Sequence, residues 1–246
     1  LISLGSAVRI RLSLPKYKMK NRINNNFFYN KIKFYLFGEK FSKKLNYDWN
    51  LYPKKLNIIQ EIIKKKNFKD YLEIGCDNNE TFSNIKISNK VGVDPISGGT
   101  LRMTSDNFFK NNETFFDLIF LDGSHTFQQT FRDIENSINF LKDDGIILVH
   151  DCLPTEIKRQ VVPRICWIWN GDVWKAIVKA RTKKNIQTYT CMADHGLGII
   201  IKKENLNPLS LEIENLNNLK FKEYFNNHKK FMNLISYKEL EAILIK

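Results

Sequence analysis

No apolar run in this chain approaches the roughly 20 residues that a membrane span requires. The opening stretch, Leu1 to Leu14, is partly apolar, but Arg9 and Arg11 interrupt it. It lacks a clear small-residue cleavage site, which argues against a signal peptide. Cysteine is scarce. Cys76, Cys152, Cys166 and Cys191 form no C-x-x-C pair and match no zinc spacing. The expected state is four reduced, partly buried thiols in a cytoplasmic protein. No internal repeat is visible. Acidic residues are almost missing from the first 70 positions, which hold 4 Asp/Glu against 17 Lys/Arg. Residues 71–246 hold 22 of each, so the whole net charge of +13 lies before residue 71. That asymmetry marks a boundary near residue 70.

What is present is ordinary globular material: 246 residues, 43% hydrophobic, enough for one domain with extensions. The stretch Phe27 to Phe37 has the pattern of an amphipathic helix, with Gly38 as its stop. Asn50 is placed to cap a second helix, with Pro53 in its first turn and Leu56, Ile59, Ile62 and Ile63 on one face. Four apolar strands then follow: Tyr71–Ile74, Lys90–Asp94, Phe116–Asp122 and Gly145–Asp151. A shorter strand is expected around Leu101 to Met103, and Thr81 is expected in a helix. The clearest helical pattern runs from Thr126 to Leu141. Strands alternating with helices predict an α/β fold with a parallel sheet covered on both faces. Beyond Asp151 an irregular stretch contains Pro154, Pro163 and three tryptophans. The pattern then gives a helix over 172–181, strands over 185–191 and 198–203, and a terminal helix over 236–245.

The candidate chemistry sits at strand ends. Glu73 and Gly75 close the first strand, where a glycine turn lets backbone N–H groups approach a ligand. Asp94 ends the next strand, 21 positions after Glu73, a spacing suited to accepting ribose hydroxyls of a nucleoside cofactor. The competing reading is an Asp-Pro turn, since Pro95 follows. Asp122-Gly123-Ser124-His125 follows the third strand and His150-Asp151 ends the fourth. If those strands are neighbours, two carboxylates and two imidazoles converge, enough for a divalent metal and a general base. The competing reading is polar loop residues capping helix ends.

Residues from about 70 to 202 resemble the class I methyltransferases that use S-adenosylmethionine (SAM). The motifs are Tyr71-Leu72-Glu73-Ile74-Gly75, Val91-Gly92-Val93-Asp94-Pro95, Asp122-Gly123-Ser124-His125 and His150-Asp151-Cys152. Trp169-Asn170-Gly171-Asp172-Val173-Trp174-Lys175 and Gly196-Leu197-Gly198-Ile199-Ile200 complete the likeness. The resemblance implies a doubly wound, mostly parallel, Rossmann-like sheet of seven strands whose last strand is antiparallel. It places Glu73 and Gly75 at the methionine part of SAM, Asp94 at the ribose, and Ser105 and Asp106 near the adenine. Asp122 belongs to the cofactor-binding set as well. Many family members carry a second glycine where this chain has Asn79. The resemblance to macrocin-type sugar O-methyltransferases implies a metal on Asp122, His150 and Asp151, with His125 as base. His150 stands where an acid is common, which tilts preference from Mg²⁺ towards Mn²⁺ or Fe²⁺, or means that no metal binds.

The expected organisation is a basic helical N-terminal extension (1–50), a methyltransferase domain (51–204) and a helical tail packed on it (205–246). The leading expectation is O-methylation of a glycan, sugar or other small polar acceptor. An RNA methyltransferase using the basic, aromatic-rich N-terminus is a second reading, although no RNA-binding module is recognisable. A module that docks on an anionic membrane or a partner protein is a third.

Overall fold

The computed structural model describes residues 16–211 and 215–245. The chain forms two compact units, Leu1–Gly38 and Glu39–Lys246. The first contains helix α1 (Lys16–Phe37), which stops at Gly38 and includes the helical pattern read from the sequence. Phe28, Tyr29, Ile32 and Leu36 on this helix are exposed.

The second unit is built on one seven-stranded sheet. Its strands are β1 (Asp70–Ile74), β2 (Asn89–Val93), β3 (Phe116–Leu121), β4 (Leu141–Val149), β5 (Gln187–Cys191), β6 (Leu197–Ile201) and β7 (Leu234–Ile235). Their spatial order is β2-β1-β3-β4-β6-β5-β7. β1, β2, β3 and β4 run parallel, as does β7 with β5. β6 runs antiparallel to both its neighbours. The antiparallel strand is therefore the sixth in the chain, and the tail adds a short parallel one after it. β3 reads Phe-Asp-Leu-Ile-Phe-Leu because a central parallel strand is covered on both faces.

The covering helices follow from periodicity. In α2 (Lys55–Lys66) Ile58, Ile59, Ile62 and Ile63 are buried, and Asn67 closes the helix in left-handed backbone. In α3 (Ser105–Asn111) the Thr104 side chain caps the first turn. In α4 (Phe127–Asn139) Phe127, Phe131 and Ile134 face the core. The short α5 (Ile157–Gln160) and then α6 (Val173–Ala180) follow β4, and α7 (Phe221–Met232) and α8 (Tyr237–Ile245) flank β7.

Three local expectations are revised. The second helix starts at Lys55, not after Asn50, whose N–H is taken by the Asp48 side chain. The strand expected around Leu101 shrinks to one bridge with Val93, because the chain turns at once into the Thr104-capped α3. Thr81 precedes a three-residue 3₁₀ turn (Phe82–Asn84), not a helix, since Asp77 and Asn79 hold left-handed backbone just before it.

Residues 39–50 belong with the second unit. Glu39 accepts the N–H groups of Phe221 and Lys222 at the start of α7. Phe41 packs 5.7 Å from Phe221 and 5.1 Å from Phe225, and the Leu45 N–H is bonded to the Thr155 carbonyl.

Candidate active site

Every candidate site residue read from the sequence lines one cavity of about 690 Å³. It opens at the carboxyl ends of β1 to β4, where ligands bind in open α/β sheets. Its wall includes Glu73 and the Gly75 turn, Asp94, and Ser105 and Asp106 at the start of α3. Asp122, His125, His150 and Asp151 line it too.

Gly75 has φ +89°, and a Cβ there would meet the Asp122 carbonyl and lie 2.6 Å from Gly123 Cα. The turn after β1 therefore packs directly on the turn after β3 and needs glycine. Asn79 keeps the left-handed backbone of the glycine it replaces, at φ 66°. Its side chain adds something glycine cannot: Oδ1 accepts the Gly99 N–H at 2.6 Å and ties this turn to the loop after β2.

Asp94 is held by three backbone donors. Ile96 N–H and Ser97 N–H reach Oδ1 at 2.7 and 2.8 Å, and Asp77 N–H reaches Oδ2 at 3.0 Å. Burial pushes its carboxyl up, but these amides and the nearby Arg102 outweigh burial and hold it below the ordinary range. Three of the carboxylate's lone-pair positions are taken by these amides, which leaves one on Oδ2. Glu73 is buried, and its Oε2 accepts the Tyr71 hydroxyl at 2.6 Å. Burial pushes its pKa up to about 7, with Asp122 adding to the rise and Tyr71 opposing it.

The second cluster gathers around Asp122. His125 Nε2 and His150 Nδ1 lie 3.3 and 3.2 Å from Asp122 Oδ1, and Lys55 Nζ lies 2.5 Å from Oδ2. His150, His125 and Lys55 together overcome the burial penalty and hold Asp122 well below the carboxylate range. His125 Nδ1 faces Asp151 Oδ2 at 3.3 Å, and its ring stacks on Trp169 at 5.4 Å and 11°. Burial opposes its charge, but Asp122 and Asp151 raise the His125 pKa above the ordinary value. His150 is raised further, against burial, by the same two acids, and its Nε2 lies 3.7 Å from Asp194.

His125, Asp151, Asp194 and His195 all hold left-handed φ, between 43° and 66°. Such backbone is costly for residues other than glycine and collects at functional sites. The neighbouring chain enforces it. Asn170 donates to Asp151 Oδ1 at 2.8 Å. A Cβ on Gly171 would collide with the His125 carbonyl, so only glycine lets His125 sit there. Asp172 accepts the Phe127 N–H at 2.7 Å and caps α4 from outside.

Sequence reasoning missed Lys55, Asp194 and the positioning roles of Asn170, Gly171 and Asp172. Lys55 is one of many lysines in a basic segment, and Asp194 lies in a turn between two edge-side strands, so neither carries a local signal. The Trp169-to-Asp172 run was visible as a motif, but its partners are distant in sequence.

Asp122, His125 and Asp151 each offer one donor atom within 4.8 Å of the others, so His125 takes the third place in the possible ligand set that was expected of His150. These residues do not fit a resident divalent ion. Asp122, which belongs to both sets as Asp151 does, has Oδ2 against the Lys55 ammonium and Oδ1 against two imidazoles. An ion there would sit beside a fixed positive charge and compete for the same lone pairs.

Residues 63–152 match the family model described as a methyltransferase domain. No curated protein matches the chain. Among solved structures, a Podospora anserina methyltransferase bound to SAH is 15% identical, with TM-score 0.48 over 82% of this chain and 100% of that one. An O-methyltransferase from Bacillus cereus, also with SAH, is 11% identical, with TM-score 0.46 over 78% and 94%. The MycE methyltransferase of the mycinamycin pathway, with Mg and SAH, is 12% identical, with TM-score 0.41 over 64% and 52%. The methyltransferase-domain match thus spans β1 to β4 of the sheet, the strands whose ends carry the Glu73–Gly75 turn and Asp94.

Proposed function

We propose that the protein transfers a methyl group from SAM to a hydroxyl of a small polar acceptor, such as a sugar or glycan. The observation that carries this reading is His125, set between two carboxylates in the cavity that also contains the Gly75 turn and Asp94.

The residues fit the cosubstrate. The cavity offers a buried acid at Glu73, a glycine turn, an amide-fixed carboxylate at Asp94 and polar groups at Ser105 and Asp106. Glu73 and Gly75 would hold the methionine part, Asp94 the ribose, and Ser105 and Asp106 the adenine end. Bound SAM supplies an electrophilic methyl: the acceptor oxygen forms the new O–C bond, and the S–C electron pair returns to sulfur.

The chain's own work is to place the acceptor and take its proton. His125 Nδ1 is buried, so Nε2, which lies beside Asp122, is the nitrogen that would take the proton once the acceptor hydroxyl displaces that contact. Asp151, across Nδ1, orients the ring, and Asp122 steadies the imidazolium that forms. This is the base-and-orienter arrangement used by other histidine bases. Trp169 fixes the ring plane by stacking.

The test is calorimetry with SAM, followed by mass spectrometry of a panel of glycans and small polyols incubated with both. SAM binding and a 14-Da gain on an acceptor oxygen, roughly one CH₂ per transfer, would support the reading. A folded protein that binds no SAM would sink it.

A further inference from the structure

Lys55 joins the Asp122 cluster from outside the strand ends. It opens α2, and two contacts fix it. Its backbone N–H is bonded to Asp194 Oδ2 at 2.8 Å, and its Nζ reaches Asp122 Oδ2 at 2.5 Å. The ammonium also lies 5.7 Å over the Phe120 ring. Asp194 therefore caps α2 and aims the side chain attached to the capped residue. The helix N-terminus adds partial positive charge towards the same acids.

Asp122 lies against this ammonium, and Asp151 and Asp194 act on it electrostatically. Lys55 lines the same cavity as His125, Asp151 and Trp169. In metal-assisted transfer to oxygen a divalent ion neutralises such acids and steadies negative charge developing on the acceptor oxygen. An ammonium held between the acids and the cavity meets both needs electrostatically, without coordination.

We propose that Lys55 is the resident cation of the transfer site: its ammonium occupies the place of a divalent ion, neutralises Asp122 and steadies the acceptor oxygen as its proton leaves for His125. The inference rests on the O-methyl transfer reading above for its chemical role. The occupancy of the acid cluster by Lys55 stands on geometry alone.

The experiment compares wild-type protein with Lys55→Ala and Lys55→Arg. Three readouts are taken: SAM affinity by calorimetry, Mn²⁺ binding by electron paramagnetic resonance, and turnover before and after exhaustive chelation. Wild type is expected to bind no stoichiometric Mn²⁺ and to keep full turnover after chelation. Lys55→Ala is expected to keep SAM affinity, lose roughly 10²–10³-fold in kcat and gain Mn²⁺ binding at the vacated acids. Lys55→Arg, which keeps the charge, is expected to retain more turnover than Ala and to exclude Mn²⁺. Stoichiometric Mn²⁺ on wild type, turnover lost on chelation, or Lys55→Ala with wild-type kcat would each overturn the proposal. Should Lys55→Ala not fold, Lys55→Arg and the wild-type Mn²⁺ and chelation readouts still decide it. Should wild type transfer no methyl group at all, the transfer reading fails, while the Mn²⁺ comparison still tests Lys55 as occupant of the cluster.

Discussion

Glu73 and His125 lie in one cavity under opposite electrostatic pressure. Glu73 is an acid whose pKa burial lifts from 4.5 to about 7. Its folded form holds the proton more tightly than the unfolded form, so its contribution to stability is full below pH 4.5 and falls as pH rises towards 7. Glu73→Gln removes that loss. The variant should match wild type at low pH and exceed it by about 2–3 kcal/mol at pH 8, while binding SAM more weakly. Urea unfolding across pH 4–8, with calorimetry alongside, measures both effects. His125 also has a raised pKa, but there Asp122 and Asp151 favour the charged form against burial. As a base it works only when neutral, so kcat should climb with pH to a plateau above the ordinary histidine range. His125→Ala should lower turnover roughly 10²–10⁴-fold, lose that rise and leave SAM affinity intact. A variant with near-wild-type turnover would remove His125 from the mechanism.

At the scale of elements, the site depends on helix starts capped from elsewhere in the chain. Neither α2 nor α4 has a side-chain cap from its own N-cap residue. Asp194 serves α2 and Asp172 serves α4. Asp172 lies in the run Asn170-Gly171-Asp172, which also holds Asp151 and makes room for His125. Asp172→Ala should cost about 0.5–2 kcal/mol, the usual value of a lost cap. It should also lower kcat, because α4 begins two residues after His125. Thermal unfolding and steady-state kinetics on the same variant check the pair of effects. A stability loss with unchanged kcat would separate the α4 cap from the active site. The reduced helix after Thr81 and the single bridge at Leu101 belong to this scale too. Both were misjudged because apolar spacing does not report left-handed residues or an immediate helix cap.

At the scale of the whole molecule, charge and catalysis are carried by different stretches of chain. Residues 1–38 contain eight Lys/Arg and no Asp/Glu. The cavity is lined from Lys55 onward, and residues 39–246 form a compact unit. No helix among the described residues is long and apolar enough to cross a membrane. Removal of residues 1–38 should leave SAM affinity and the melting temperature of the remainder unchanged, and should weaken retention on an anionic matrix at low salt. Loss of SAM binding by a folded truncation would make the basic segment part of the cofactor site.

The strands and the acids at their ends were legible because they depend on neighbours in sequence. A short, nearly continuous apolar run such as Phe116 to Leu121 reads as a covered strand, and a parallel sheet then delivers Glu73, Asp94, Asp122 and Asp151 to one edge. The tertiary structure alone decided what those acids meet. Lys55 reaches Asp122 across 67 positions and Asp194 across 139, and Asn170 reaches Asp151 across 19. Periodicity carries no information over such separations. A lysine in a basic segment becomes a part-buried counter-charge only when packing carries the start of α2 to the sheet edge. There the low-dielectric surroundings make its pairing with Asp122 strong.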